Sequence, residues 1–298
     1  MKWLKKHGVT LALIAVVAVG LGLLLYPTFS DWWNGFHQSR AVMSYADSVS
    51  KLNEKEYKKI LKKASDYNKK LARTGMIWKM SGEQEADYES QLKLTDDGIM
   101  GYINIPKINV QLPIYHGTDE KVLQVAIGHL AGTSLPVGGK GSHCVVSGHR
   151  GLPSARLFTD IDKIKEGDTW TMTVLNQTIT YECDQIRIVK PTDLSDLTIE
   201  PGKDYCTLVT CTPYGINTHR LLVRGHRTAG QQGDALVTAD ALRIDSAYVI
   251  PFACAPILLI FFIVTMRQIG RYQKRRKRWE EIKQEFGGKE DTEEGRQE

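Results

Sequence analysis

The chain has 298 residues, 42% of them hydrophobic and 24% charged, with a formal net charge of +5. That length supports one sizeable core rather than two large domains, and five cysteines in a chain of this size do not make a disulfide scaffold. The positive balance does not point to a nucleic-acid partner, because much of it lies in short basic runs set against apolar stretches.

Lys2, Lys5 and Lys6 lie in the first segment, residues 1–8, ahead of an uncharged apolar run over residues 9–26. A cleavable signal has an apolar region of about 7–15 residues and ends at an A-x-A-like site. This run is longer and Pro27-Thr28-Phe29-Ser30 offers no such site, so a retained membrane anchor is expected. A second uncharged stretch, 247–266, would be about 30 Å long as a helix, enough to cross the hydrocarbon layer. Arg267, Arg271, Lys274, Arg275, Arg276, Lys277 and Arg278 follow it with no acidic residue among them. Basic flanks stay cytoplasmic, so both ends are expected inside, including a basic then acidic tail over 267–298, with residues 27–246 outside.

Trp32 and Trp33 have the position of interfacial anchors just beyond the first span. Val42, Tyr45, Val49 and Leu52 then recur at spacings of three and four, as do Tyr57, Ile60, Ala64, Tyr67 and Leu71. The five-residue step between Leu52 and Tyr57, at Asn53, predicts two helices or one broken helix. Residues 74–98 are polar and contain Gly75, Gly82 and Gly98, which reads as a long surface loop; residues 27–98 thus form a helical segment followed by a lid-like loop. From Met100 the pattern changes to short strands, at 102–105, 110–115, 144–147, 170–174, 178–183, 185–189, 206–211 and 219–223. A helix over 119–126 interrupts them. About eight short strands with turn residues between them imply a mainly β domain, barrel or sandwich, over 99–228. Residues 229–246 read as a linker.

The stretch 205–227 carries the chemistry. Its first strand ends on Cys211; Pro213, Gly215 and Asn217 then reverse the chain, and the return strand begins at His219-Arg220. A thiol and a guanidinium are thereby held near each other. Cys144, Cys183 and Cys206 sit in strand-like surroundings as small hydrophobes, and Cys254 lies within the second apolar stretch. No CxxC pair or Cys/His ligand spacing supports a metal, and no cofactor is expected. A cysteine nucleophile needs an acid/base partner and a donor for the oxyanion formed on a carbonyl. Of His116, His129, His143, His149, His219 and His226, only His149 ends a strand among glycines, Gly148 and Gly151. A lone loop histidine is most often structural and an arginine at a strand start most often a rim residue, so neither assignment stands on its own. Arg224 and Arg227 lie farther along the strand.

Taken together these motifs match a family. Thr207-Leu-Val-Thr-Cys211 with Arg220 nine residues on resembles the TLxTC motif and downstream arginine of sortases, and Ser147-Gly-His149-Arg-Gly resembles their histidine motif. The resemblance spans most of 99–227, including Gly101-Tyr-Ile-Asn-Ile-Pro-Lys-Ile and Gly128-His-Leu-Ala-Gly-Thr-Ser-Leu-Pro. It implies an eight-stranded sortase-type β-barrel with short helices, preceded by the helical segment and flanked by two transmembrane helices. The second span and long N-terminal segment resemble class C, pilus-type enzymes. By that resemblance His149, Cys211 and Arg220 form the triad, and the enzyme cleaves LPxTG-like sorting signals of pilin or surface proteins through a thioester on Cys211. A lysine amine of the next pilin then resolves it as an isopeptide bond. Two other readings stay open: a sortase that uses a peptidoglycan precursor as acceptor, and a non-catalytic membrane-tethered barrel with Cys211 structural. Class C enzymes often carry an Asp-Pro-aromatic lid motif shortly before a Tyr-Glu-Ser segment. Here Tyr88-Glu-Ser90 is present, but the expected place reads Ile77-Trp78-Lys79-Met80, which leaves two expectations: an apolar plug over the thiol by Trp78 or Met80, or a lid that is looser or absent.

Overall fold

In the computed structural model, which describes residues 2–228, 266–279 and 281–282, the chain begins as one long helix, α1, Lys2–Ser50. The helix runs on without a break past Tyr26, where the apolar run ends. Pro27 lies inside the helix, where it removes the hydrogen bond to the Leu23 carbonyl; a membrane helix can accommodate that loss through small local adjustments. The stretch around Val16–Leu25 is uncovered by protein, and α1 is the one helix among the described residues long and apolar enough to cross a membrane. The second expected span, 247–266, lies outside the described residues except for Met266, as does the linker 229–246. Residues 266–279 are helical.

The break predicted at Asn53 is real. Helix α2, Glu54–Thr74, starts there with a reciprocal cap: Glu56 N donates to Asn53 Oδ1 at 2.9 Å and Asn53 N donates to Glu56 Oε2 at 3.1 Å. Such a cap satisfies two otherwise orphaned amides. The segment read as a loop holds a further short helix, α3, Gly82–Glu89, opened by the same device between Ser81 and Gln84. Its eight residues are too short and too polar to show a helical period, so the cap pair was the readable signal.

Eight strands then close a barrel in the order β1-β2-β3-β4-β7-β8-β6-β5. They are β1 Ile99–Ile105, β2 Val110–His116, β3 Ile127–His129, β4 Ser142–Ser147, β5 Thr169–Val174, β6 Gln177–Val189, β7 Asp204–Thr212 and β8 His219–Arg227. The expected number is reached by a different division. The runs 178–183 and 185–189 are one strand, β6, whose register slips between Cys183 and Gln185, and the three-residue β3 had no readable pattern. The expected helix over 119–126 is a single turn, α4, Glu120–Leu123.

The barrel interior holds Ile103, Ile105, Cys144, Val146, Trp170, Cys206, Leu208 and Val223. Alternate residues of β4, β7 and β8 face outward, and there Val145, Val209 and Leu222 join Leu197 in a second apolar cluster. Both faces of these strands are thus covered. Helices α2 and α3 bury Ala64, Tyr67, Leu71 and Tyr88 against Met100, Leu135 and Val174 of the barrel.

Helix α1 runs down the barrel side. Ser30 Oγ and Asn34 Nδ2 donate to the Ser154 carbonyl at 3.2 and 2.7 Å, and Arg156 N donates to Asp31 Oδ1 at 2.7 Å. Gln38 Nε2 donates to Val125 O at 2.7 Å. Farther on, the buried Tyr45 hydroxyl donates to Met100 O and accepts from Leu175 N, both at 2.8 Å. Tyr45→Phe removes both bonds and leaves a buried amide unpaired, so it should cost about 1–3 kcal/mol; thermal unfolding of the detergent-solubilised chain should show a Tm lower by several degrees.

Candidate active site

Three adjacent strands end together and carry the three candidate residues. In the antiparallel β7–β8 pair, Cys211 and Arg220 are direct cross-strand partners, a position where Cα atoms lie about 4.5–5.5 Å apart. On the other side of β7, β4 runs parallel with Ser147 opposite Val209. The pairing continues past the strand end, because Gly148 N donates to Val209 O at 3.1 Å. Thr210 Oγ1 donates to the Gly148 carbonyl at 2.7 Å. His149 therefore leaves the sheet level with Cys211, two residues beyond Ser147 as Cys211 is two beyond Val209.

The thiols are sorted by burial. Cys144, Cys183 and Cys206 are buried and Cys211 is half-exposed. Burial pushes the Cys144 thiol well up and the Cys183 thiol up to about 11, so neither supplies thiolate near neutral pH. Cys144 and Cys206 belong to the barrel core, as expected of small hydrophobes.

The histidines are sorted by their partners. His116 faces the Gly98 and Gln91 carbonyls at 2.9 and 2.7 Å. His129 is buried between Tyr88 Oη at 2.9 Å and Ser134 O at 2.8 Å, and burial pushes its imidazole down to about 4. His143 lies between Thr198 O and Thr207 Oγ1, and burial lowers it too. These three are structural. His149 is 28% exposed, yet its Nε2 is covered and makes no hydrogen bond. The nearest charge to that nitrogen is Glu120 Oε2 on α4 at 3.7 Å.

The arginines divide in the same way. Arg224 holds Asp184 through two hydrogen bonds of 3.0 and 3.1 Å and stacks over Tyr205 at 4.2 Å. Arg227 pairs with Asp204 at 3.3 Å. Arg220 forms no ion pair among the described residues; its Nη1 donates to the Asn217 and His219 carbonyls at 3.3 and 3.1 Å. A guanidinium has five donors, so most of Arg220 is left for a carbonyl or oxyanion.

Two loops meet above this junction. The one after His149 is closed at its base, where Phe158 N donates to the His149 carbonyl at 3.1 Å. Tyr214, in the β7–β8 turn, lies against it. Gly151, at φ +77°, leaves room for that ring, since a Cβ there would sit 2.7 Å from the Tyr214 ring. The sequence pointed to neither Tyr214 nor Glu120, because their partners are remote in the chain. Thr207 and Thr210 lay within the motif already singled out, and their roles are to fix His143 and Gly148.

The suggested plug is not brought to the thiol. Trp78 lines a cleft of about 400 Å³ with Lys140 and Gly141, which lead into β4, and Pro201 and Gly202, which lead into β7. Those are the opposite ends of the strands that finish at His149 and Cys211. From Asp204 to Cys211 is about 23 Å at the rise of a β-strand. Ile77 N, bonded to Gly132 O at 3.0 Å, ties the segment in place, and Met80 packs against the α2–α3 cluster. Among the described residues no group of His, Cys, Asp and Glu is arranged to hold a metal.

Comparison with known proteins bears on this site. The sortase-domain family model matches residues 103–228. The crystal structure of sortase C1 from Streptococcus agalactiae is 60% identical, with a TM-score of 0.64, covering 64% of this chain and 100% of that one. Sortase C from Clostridium perfringens, solved with the C-terminal cell wall sorting motif, is 40% identical with a TM-score of 0.55, covering 64% of this chain and 98% of that one. Sortase D of Bacillus subtilis (strain 168) is 32% identical over 130 residues, 43% of this chain and 63% of that protein, so the match spans just under two thirds of its length.

Two outcomes follow for the thiol. Iodoacetamide applied to the native protein should modify Cys211 and spare Cys144, Cys183 and Cys206 until unfolding, as read by peptide mass spectrometry. Trp78→Ala should leave the Cys211 alkylation rate within about twofold of the parent, the usual range for an exposed, remote substitution.

Proposed function

Because this chain belongs to the sortase family, on its class C branch, we propose that it is a membrane-anchored cysteine transpeptidase acting on peptides with an LPxTG-like sorting signal. The observation that carries this reading is the strand-end junction, where Cys211 faces Arg220 and His149 stands level with the thiol. The Cys211 thiolate attacks the threonine carbonyl carbon, and the resulting oxyanion is held by Arg220. The carbon–nitrogen bond then breaks, the departing glycine amine takes the proton held by His149, and the peptide remains as a thioester on Cys211. An incoming lysine amine of a pilin subunit attacks that thioester, gives its proton to His149 and releases the Cys211 thiolate. One peptide bond is lost and one isopeptide bond gained, so no external energy source is required.

In this reading α1 is the anchor, the stretch 247–266 is a second span, both termini are cytoplasmic and the barrel is outside. The partners are pilin or surface proteins carrying the signal.

Co-expression with the candidate pilin should give a covalent ladder with the parent chain and none with Cys211→Ala. A ladder that persists in the variant would sink the mechanism, and a parent without one would sink the pilin assignment. On a soluble signal peptide, Arg220→Lys should lower kcat/KM by about 10²–10³, the usual effect of losing an oxyanion donor. Arg224→Lys should instead lower Tm and leave kcat/KM nearly unchanged, since Arg224 is committed to Asp184.

A further inference from the structure

The order of contacts along α1 matches the order of levels in the barrel. Leu23 and Leu24 are 72% and 77% exposed, and an uncovered aromatic group follows at Phe29, Trp33 and Phe36. Such a sequence, aliphatic then aromatic, suits the boundary between hydrocarbon and headgroups. The first barrel contacts begin within the aromatic group: Ser30 and Asn34 to Ser154, and Asp31 to Arg156. Gln38 follows with Val125, and Tyr45 comes last with Met100 and Leu175.

Strand directions say which end of the barrel each contact belongs to. Ser154 lies in the loop after His149, and Val125 leads into β3, whose Gly128 is opposite Ser147. Both belong to the end with Cys211. Met100 starts β1 and Leu175 is in the β5–β6 turn, and Thr173, just before that turn, is opposite Tyr102. Both belong to the other end. From Asp31 to Ser50, α1 is about 28 Å long, against about 30 Å for the nine residues of β7, so the helix spans the barrel from end to end.

We infer that α1 is a rigid spacer that holds the Cys211 end of the barrel down against the lipid surface, matching the site to peptide segments that are themselves held at that surface. Ser30 and Asn34 lie about 6–12 Å along the helix from Tyr26, which puts the His149 loop at the upper edge of a headgroup layer about 5–8 Å deep. A membrane-tethered peptide then meets the site at a high effective concentration, provided its tether is of matching height. The substrate part of this inference rests on the transpeptidase reading, and the orientation rests on α1 as the membrane anchor.

A seven-residue polar helical insert between Thr28 and Phe29 adds nearly two full turns, lifting the barrel about 10 Å on the same face. The full chain, parent and insert, is placed in proteoliposomes with the signal peptide either free or fused to a single membrane-spanning helix. The insert should leave cleavage of the free peptide within about twofold and lower cleavage of the tethered one at least about tenfold, as expected when a tether no longer matches its span. An unchanged rate on the tethered peptide, or an equal fall on both, overturns the inference. A second readout is independent of cleavage. In the Cys211→Ala chain in nanodiscs, a dye on Pro153→Cys should be quenched by headgroup-labelled lipid far more than a dye on Asn176→Cys. Equal or reversed quenching overturns the orientation, whereas parent chains that cleave neither peptide but keep the expected quenching order overturn the transpeptidase reading alone.

Discussion

The parallel pairing of β4 with β7 is the constraint on which the rest of the structure depends. Parallel strands point their C-terminal ends the same way, so Gly148-His149 and Cys211 emerge side by side although 62 residues apart. The antiparallel return of β8 brings Arg220 to the same level. No loop has to fold back to assemble the three groups; the hydrogen-bond register places their backbones, and only side-chain angles remain to be set. That arrangement suits chemistry in which small displacements of a reacting group are costly.

The surroundings fix this register. Because β4, β7 and β8 bury apolar side chains on both faces, a slip of one residue would exchange an interior Leu208 for a Thr207 that needs His143. Asp184, at the β6 bulge, takes up Arg224, and that leaves Arg220 as the one of the two guanidiniums not tied to a carboxylate. Tyr88 extends the same order to the helices: its hydroxyl meets the His129 ring at 2.9 Å and accepts from Gly117 N at 3.0 Å, fastening α3 to the barrel.

Much of this was legible in the chain. The alternation of 206–211, the turn residues and the branched return strand define a hairpin whose ends must meet, so Cys211 and Arg220 were paired from local pattern alone. His149 was legible as a strand end among glycines, but its place beside Cys211 depends on a long-range parallel pairing that no local pattern encodes. β3 is not legible because three residues have no period, and β6 reads as two strands because the polar Asp184 marks a bulge that looks like a break. The place of Trp78 is not legible for a related reason. Its position in the chain resembled that of a lid, whereas the tie from Ile77 to Gly132 sends it to the far end of β4.

Closure of the barrel carries one consequence for recognition. Since β1 pairs with β5 and the eight strands close a circle, the described sheet has no terminal strand that a visiting peptide could extend as one more strand. Main-chain hydrogen bonding to a sheet edge reads extended shape and is largely indifferent to side chains. A barrel without an edge gives up that generic adhesion, and discrimination among visitors passes to side-chain shape and to the loops around the strand ends.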